Sequence, residues 1–552
     1  MTQDKHLHQT NLVADWKALE RIFIKPEESS RKTLVKYMEQ IFFGLHDFLD
    51  KNVGITEEID LKVLSESYSD THINKNPEKR LSDVITSLVK EIAPRAVNIA
   101  SPYFIGHMTS AIPFFMVHLK SIVVALNQNV VKLETSKVVS IVERQVLAKV
   151  HRLVFKEFES FYKEHVHSAT TTLGAFTEGG TTANLTALWV ARNKVFAPKQ
   201  GFKGVEKDGV ASAYAQYNVK RSVVLVSKRG HYSLRKAGGV LGIGNKNVLA
   251  LDVDKDNKLD LDCLRAKIKE FDKNSGVKII AIVGIAGTTE TGTVDPLVKI
   301  AEICAQNSIH FHVDAAWGGP VIVSEKYKHL LHGIDLADSV TIDGHKQFYM
   351  PMSCGMVFFK NPKAMDAVAY HANYVNRQGS VDLGIKSFAG SREANSLVLD
   401  SALKIMGTKG YALLIDHGIE MAKYFADEIN SRDNFELITK PELNILTYRL
   451  VPKKYREKLN SGTFDEKNAV NKKLNSINQT VQRIQREHGK SFVSRTMLKS
   501  LKSQNECLVV FRCAIMNPMT DLKVLMEILD EQEQIFRESI MLQPVESSFR
   551  QS

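Results

Sequence analysis

The stretch Thr341-Ile-Asp-Gly-His-Lys-Gln-Phe-Tyr349 follows a short apolar run, residues 339–342, that is typical of a buried strand. The strand ends in a turn that sets His345 beside Lys346. Apart from Asp343, the lysine has no obvious partner nearby in the sequence. An isolated His-Lys pair is usually an ordinary surface feature, so this turn alone predicts no chemistry.

A second apolar run changes that interpretation. It reads Ile309-His-Phe-His-Val-Asp-Ala-Ala-Trp-Gly-Gly319 and ends its strand at Asp314, which precedes Lys346 by 32 residues. A strand-end aspartate followed by a strand-end lysine is typical of pyridoxal phosphate (PLP) sites. The lysine forms the Schiff base there, and the aspartate partners the pyridinium nitrogen. The two strands therefore predict a PLP site.

Further apolar strands alternate with helical stretches along the middle of the chain. We predict strands at 222–227, 248–251, 278–285 and 355–359, and helices at 261–271 and 296–306. This alternation indicates an α/β fold with a mostly parallel sheet and helices on both faces. Ligands of such sheets bind beyond the carboxyl ends of the strands, where Asp314 and Lys346 fall.

The chain of 552 residues is long enough for several domains. We predict a helical N-terminal segment over 1–125, a large α/β domain over 126–400 and a small α+β domain over 401–552. The first has amphipathic stretches at 16–23 and 33–49, and the second begins with one long helix at 138–161. In the third we predict strands at 443–450 and 507–515 and helices near 467–488 and 520–537.

Composition favours a cytoplasmic protein. The apolar fraction of 44% and the charged fraction of 24% are ordinary for a soluble globular chain. Five cysteines, an odd number without a CxxC motif, indicate a reducing compartment. The N-terminus lacks the apolar core of a signal peptide, and the apolar stretch at 111–126 is too short to cross a membrane. We therefore expect no membrane partner.

The net charge of +11 raises the question of nucleic-acid binding. Residues 451–506 hold 13 Lys and Arg against 5 Asp and Glu, so most of the excess lies in one segment. Its apolar residues recur at helical spacing, which favours the solvated face of a surface helix. We expect no nucleic-acid partner, and a role in attracting phosphates or acidic substrates stays open.

Other polar motifs follow the predicted strands. Gly174-Ala-Phe-Thr-Glu-Gly-Gly-Thr-Thr-Ala-Asn-Leu185 is a glycine-rich loop that opens a helix, where free N–H groups attract a phosphate. His231 follows an apolar strand and is positioned either to stack on a cofactor ring or simply to be hydrogen-bonded. The pair His310 and His312 lacks companion ligands, so core packing is favoured over metal binding. No metal is expected.

Taken together, these motifs resemble the fold type I, group II PLP-dependent decarboxylases. That family includes glutamate, aspartate, aromatic-amino-acid and cysteine-sulfinate decarboxylases. The resemblance runs from about Ser101 to Pro518, and details around 343–347 and 376–384 are most similar to bacterial aspartate 1-decarboxylases.

The resemblance implies roles for individual residues. Lys346 would hold PLP, Asp314 would keep the pyridine nitrogen protonated, and His231 and Ala316 would contact the two ring faces. The phosphate would be contacted by Gly180, Thr181 and His345, with Thr289 near the polar edge of the ring. The substrate would be bound by Arg512, which pairs with a carboxylate, and by His107.

The resemblance also implies a catalytic loop tyrosine. Relatives use it to protonate the product carbon, and Tyr374 is the candidate, although backward alignment of the loop falls on Arg377. The same loop and residues 390–392 would reach a neighbouring subunit, so a homodimer with the site at the subunit interface is expected.

The expected activity is PLP-dependent α-decarboxylation of an acidic L-amino acid, aspartate to β-alanine and CO2 ahead of the alternatives. Those are glutamate to GABA and cysteine sulfinate to hypotaurine. A non-decarboxylating fold type I enzyme and a PLP-bound regulatory protein remain rival interpretations of Lys346 and Asp314.

Overall fold

Two β-sheets organise the computed structural model, which describes residues 27–50, 53–54, 61–271, 276–371, 380–499 and 507–541. The first sheet has seven strands: β1 Gly174–Thr177, β2 Arg221–Ser227, β3 Val248–Leu251, β4 Val277–Ile285, β5 His310–Asp314, β6 Ser339–Asp343 and β7 Gly355–Phe359. The second has four: β8 Phe435–Thr439, β9 Ile445–Leu450, β10 Ser494–Lys499 and β11 Cys507–Ala514.

The first sheet has the strand order β1-β7-β6-β5-β4-β2-β3. The run from β6 to β3 is parallel, whereas β7 is antiparallel to both β6 and β1. Asp314 at the end of β5 is in register with Thr341 on β6. The carboxyl ends of these two strands therefore lie side by side, which brings the two predicted PLP motifs together.

Helices cover both faces of this sheet. Along β2, Val223 and Leu225 pack into one apolar cluster, and the alternate residues Val224 and Val226 pack into another. This two-sided burial confirms the predicted mostly parallel α/β fold.

The α-helices of the described residues are α1 Glu28–Leu49, α2 Leu61–Glu66, α3 Leu81–Ser87, α4 Phe114–Leu126, α5 Leu133–Ser136, α6 Val138–Phe155, α7 Glu159–His165, α8 Gly180–Val195, α9 Val205–Tyr217, α10 Tyr232–Val240, α11 Leu261–Glu270, α12 Leu297–Gln306, α13 Asn395–Ser431, α14 Lys453–Ser461, α15 Phe464–His488 and α16 Leu522–Phe536.

The second sheet is antiparallel, with the order β10-β11-β9-β8. Its core is shared with α15, α16 and the C-terminal part of α13. The N-terminal part of α13 packs instead against the core of the first sheet, through residues such as Val398 and Leu399. Gly407, with φ of 61°, kinks α13 into two helical segments, and the predicted boundary at residue 400 falls in the first of them. The three predicted domains stay a prediction.

Some local predictions were wrong. The helix predicted at 138–161 is two helices, because Lys156 adopts a left-handed conformation with φ of 53° and ends α6. The glycine-rich stretch begins as a strand, β1, and β8 and β10 were not predicted. The amphipathic stretch predicted at 16–23 lies outside the described residues. Within those residues, no helix combines the length and apolar character needed to cross a membrane.

Candidate active site

The turn after β6 carries the predicted lysine. The Lys346 amine lies 3.0 Å from Oδ2 of Asp343, a nearly fully buried carboxylate at the end of the strand. From the neighbouring strand β5, Asp314 lines the same cavity of about 400 Å³. The cavity brings together nine of the predicted site residues: His107, Gly180, Thr181, His231, Thr289, Asp314, Ala316, His345 and Lys346.

The glycine-rich turn closes one end of this cavity. Helix α8 begins at Gly180 and has no side-chain cap, so the N–H groups of its first turn lack partners within the helix. A Cβ atom at Gly180 would lie 2.9 Å from Oδ2 of Asp343 and 3.2 Å from Cβ of Ala316. The position therefore needs glycine, and the open helix start suits a phosphate.

Asp314 is held by a buried hydrogen-bond chain. Its Oδ2 accepts from the amide nitrogen of Asn184 at 2.9 Å, and its Oδ1 accepts from the Ala316 N–H at 3.2 Å. The Asn184 carbonyl accepts from Nε2 of His312 at 3.0 Å, and Nδ1 of His312 accepts from the Ser339 hydroxyl at 2.9 Å. Burial lowers the pKa of His312 to about 4, so the imidazole is neutral and the chain keeps one orientation.

The sequence predicts His312 as a core residue and assigns no role to Asn184. His312 is fully buried and hydrogen-bonded, which agrees with core packing, but it also orients the partner of Asp314. Asn184 stands in the glycine-rich motif, five residues after Gly179. A polar residue on the sheet-facing side of α8 was the signal that would have found it.

His231 is fixed at the start of α10. Its Nδ1 accepts from the Ser233 N–H at 3.3 Å and lies 2.9 Å from the Ser233 hydroxyl. Burial lowers the pKa of His231, so the ring is neutral near pH 7 and presents its other nitrogen as the protonated one.

His345 lies beside the glycine-rich turn. Its Nδ1 contacts the Cys354 backbone, 3.1 Å from the nitrogen and 2.7 Å from the oxygen, and its Nε2 is 3.7 Å from Oδ2 of Asp343. A Cβ built on Gly179 would approach Cε1 of His345 to 3.3 Å. This position agrees with the predicted contact to a phosphate at the helix start.

Arg512, on β11, is not among the residues that line this cavity, but it is bonded to the cavity wall at Thr289. Its Nε donates to the Thr289 carbonyl at 2.5 Å and its Nη1 to the Gly106 carbonyl at 3.2 Å. The remaining nitrogen, Nη2, is buried and has no hydrogen-bond partner in the described part of the chain. Burial lowers the pKa of Arg512 to about 10, so the guanidinium is still charged at neutral pH.

His107 completes the substrate side of the cavity. Its Nδ1 lies 3.1 Å from the Thr109 hydroxyl. The pKa of His107 is lowered mainly by burial and further by the positive charges of Arg512 and Lys346. The imidazole is therefore neutral near pH 7 and able to donate or accept a hydrogen bond.

The predicted contact of residues 390–392 with a neighbouring subunit stays a prediction. Within its own chain, Arg392 is buried and forms a two-point ion pair with Glu143. A buried guanidinium needs such a partner, and Glu143 supplies it from α6. Tyr374 and Arg377 lie outside the described residues.

Metal ligands are not clustered in the described ranges. No group of three or more His, Cys, Asp or Glu side chains is arranged there to hold an ion. His310 and His312 both bond to Ser339, as expected for core residues.

Comparison with known proteins assigns the family. Residues 65–451 match the model of the pyridoxal-dependent decarboxylase conserved domain. The aspartate 1-decarboxylase of Aliivibrio fischeri is 44% identical over 532 residues, which cover 96% of each chain. The chain belongs to the pyridoxal-dependent decarboxylase family.

Further similarities to pyridoxal-dependent decarboxylases are weaker. The acidic amino acid decarboxylase GADL1 of Xenopus tropicalis is 27% identical over 509 residues, 91% of each chain. The crystal structure of mouse CSAD superposes with a TM-score of 0.77 at 22% identity, covering 91% of this chain and 99% of that one. This last similarity establishes the fold.

PLP is the cofactor of this decarboxylase. The residues present fit the group: Lys346 offers an amine, Asp314 an oriented carboxylate and the turn at Gly180 a cradle that a side chain would fill. The family assignment supports decarboxylation over the predicted rivals that do not decarboxylate.

Proposed function

We propose that the chain catalyses α-decarboxylation of an acidic L-amino acid, converting L-aspartate to β-alanine and CO2. The observation that carries this proposal is the buried Nη2 of Arg512, a charged donor next to the cavity wall that has no partner among the described residues. A substrate carboxylate is the group that satisfies it. The 44% identity to a protein named aspartate 1-decarboxylase supports aspartate as the substrate.

The cofactor side has proposed roles that follow from the contacts. Lys346 binds PLP through its amine, and the glycine-rich turn with Thr181 and His345 receives the phosphate. The Asp314 carboxylate holds a proton on the pyridine nitrogen, while Asn184 and the Ala316 N–H keep that carboxylate in place. When bound, PLP accepts the electron pair that the departing carboxylate leaves on the α-carbon.

The substrate side fixes the amino acid by charge and shape. Arg512 is immobilised by the carbonyls of Thr289 and Gly106, so its open nitrogen is directed without further loss of side-chain freedom. A carboxylate bound there forms a charge-assisted hydrogen bond in a buried site. His107, neutral and adjacent, adds a hydrogen bond that depends on substrate length.

The proton donor to the product carbon is proposed to be Tyr374. Replacing it with phenylalanine is expected to slow turnover or to raise the fraction of decarboxylation-dependent transamination, measured as aldehyde product over amine product. A silent Tyr374→Phe variant, combined with strong effects of Arg377 substitutions, would show that the loop register is wrong.

A homodimer is proposed from an exposed apolar surface. On α1, Phe43 is 80% exposed, and on α4, Phe114 is 78% exposed. The two helices adjoin, since the rings of Phe42 and His118 are 5.9 Å apart. Large exposed apolar side chains on adjoining helices are typical of an interaction surface, so a second copy is the proposed cover.

A cytoplasmic location is supported by the five unpaired cysteines.

The substrate is tested by product identification. The purified protein with PLP is incubated separately with L-aspartate, L-glutamate and L-cysteine sulfinate, and the amines are separated and quantified. One methylene in a pocket is worth about 1–3 kcal/mol, so we expect β-alanine to form roughly ten times faster than GABA or more. Faster formation of GABA or hypotaurine would overturn aspartate as the substrate while leaving decarboxylation intact.

A further inference from the structure

A second cavity, of about 530 Å³, lies between the second sheet and helices α14 and α15. Its lining holds a single carboxylate among the described residues, Glu436, against six cationic side chains. These are Arg229, Lys255, Arg449, Arg456, Lys467 and Lys499. Arg456, Lys467 and Lys499 belong to the basic segment 451–506, and Arg449 lies on the strand that precedes it. The catalytic site does not use this segment.

Two arginines in this cavity are fixed rather than solvated. Arg449 is 4% exposed, and it donates from Nε to Glu436 at 2.7 Å and from Nη1 to Asn471 at 2.7 Å. Its Nη2 donates to no atom of the residues that the structure describes. Arg456 is held by the backbone carbonyls of Asp433 and Phe435. Their charges are therefore positioned before any ligand arrives, which lowers the entropic cost of binding an anion.

We propose that this cavity binds a small multivalent anion carrying phosphate or carboxylate groups, and that the bound anion weakens substrate binding at the active site. Arg449 and Arg456 would fix its charged groups, and Lys255 and Lys467 would close over it from the rim. A multivalent anion is favoured because several cations converge on one cavity with a single internal counter-charge.

Arg229 links the two cavities. It lines both of them, donates from Nη1 to Glu290 at 2.8 Å and from Nε and Nη2 to the Asn257 carbonyl. Glu290 also acts on Arg512, whose pKa its charge raises. An anion in the second cavity attracts Arg229 away from Glu290. The Glu290 carboxylate then neutralises more of the Arg512 charge, so the KM for the amino acid rises.

Binding is tested on the PLP-saturated holoenzyme by calorimetric titration with pyrophosphate and, separately, with propane-1,2,3-tricarboxylate. NaCl at equal ionic strength controls for screening. We expect one ion per chain, and the tighter of the two probes identifies the anion class. The double variant Lys255→Gln/Lys467→Gln should weaken binding roughly tenfold, because two rim charges are lost. The matched double variant Lys236→Gln/Lys409→Gln, at exposed lysines outside both cavities, should bind like the unmodified protein.

The coupling is tested by the KM for whichever acidic amino acid is turned over. Saturating anion should raise it at least about threefold in the unmodified protein, and Lys255→Gln/Lys467→Gln should need roughly tenfold more anion for the same rise. This effect rests on the role proposed for Arg512, whereas anion binding does not. Absence of binding by both probes, or equal binding by the two double variants, would overturn the site. Binding without a change in KM would overturn the coupling alone.

Discussion

The two sides of the active site are built differently. On the cofactor side, Asp314 and Lys346 lie at the ends of adjacent strands of one sheet, and both carboxylate oxygens of Asp314 are hydrogen-bonded. On the substrate side, His107 and Arg512 come from opposite ends of the sequence, and Arg512 keeps a buried nitrogen without a partner in the described residues. The carboxylate of Asp314 is therefore fixed by the protein alone, whereas the guanidinium of Arg512 keeps one donor for a ligand.

This difference assigns chemistry and specificity to separate parts of the fold. A satisfied hydrogen-bond network holds one arrangement rigidly, which suits a group that must act in the same way in every turnover. An unsatisfied buried charge favours any ligand that completes it, and rejects those that do not. Substitutions on the cofactor side should therefore change kcat, and those on the substrate side should change KM.

The largest effect is expected for Lys346→Ala. Removing the amine removes covalent attachment of PLP, so turnover should fall at least about 10³-fold. The visible absorbance of the enzyme-bound cofactor should disappear with it, as read by a spectrum after desalting. Lys328→Ala, at an exposed lysine on the surface, is the control and should keep both. An active Lys346→Ala protein would contradict the assignment of Lys346 as the residue that binds PLP.

Arg512→Gln is expected to be next in size. The loss of a buried charge that pairs with a carboxylate is worth about 2–5 kcal/mol, so kcat/KM should fall by roughly 10² or more, mainly through KM. Arg512→Lys keeps the charge without the planar fork and should recover part of the loss. The spectrum of bound PLP should be the same in both variants. A fall in kcat with unchanged KM would place Arg512 on the cofactor side.

Asn184→Ala tests the network behind Asp314. A hydrogen bond to a charged group is worth about 1.5–3 kcal/mol, so kcat should fall roughly ten- to a hundredfold with little change in KM. The pH at which the bound-cofactor spectrum changes should shift as well, a signature that simple loss of stability does not give. Asn193→Ala is the matched control, because Asn193 is a buried residue of the same helix that bonds to Glu206 and the Ala367 carbonyl instead. Equal effects of the two variants on kcat would contradict a positioning role for Asn184.

The smallest effect is a pH dependence of KM. Because the lowered pKa of Arg512 is about 10, the guanidinium is charged below that pH and neutral above it. KM should be constant up to about pH 9 and roughly doubled at pH 10, where half of the charge is lost. The substrate amine also titrates in this range, so the ratio of KM in Arg512→Gln to KM in the unmodified protein is the quantity to follow. That ratio should shrink as the pH rises, and a constant ratio would refute the charge role.

The sequence predicts the cofactor side of the site better than the substrate side. The strands that carry Asp314 and Lys346 are continuous apolar runs, so their positions were predicted to within one residue at each end. In contrast, β10 exposes alternate residues, and β1 has the sequence Gly-Ala-Phe-Thr inside the glycine-rich stretch, so neither forms a continuous apolar run. Positions His107 and Arg512 came from resemblance, because no local pattern links residues so far apart in the chain.

The partners of the site residues were harder to predict than the residues themselves. Asn184 lies within a motif that was noted for its glycines, and its bond to Asp314 exists only once α8 packs on the sheet. The same holds for Glu290 and Arg229, whose ion pair joins two cavities that no linear motif indicates.

The most direct measurement follows the carbon that leaves. The holoenzyme is supplied with L-aspartate labelled with ¹³C at the α-carboxyl carbon, and the products are followed by NMR. We expect labelled CO2 and unlabelled β-alanine in equal amounts. Labelled alanine, or a labelled keto acid without CO2, would contradict α-decarboxylation of aspartate.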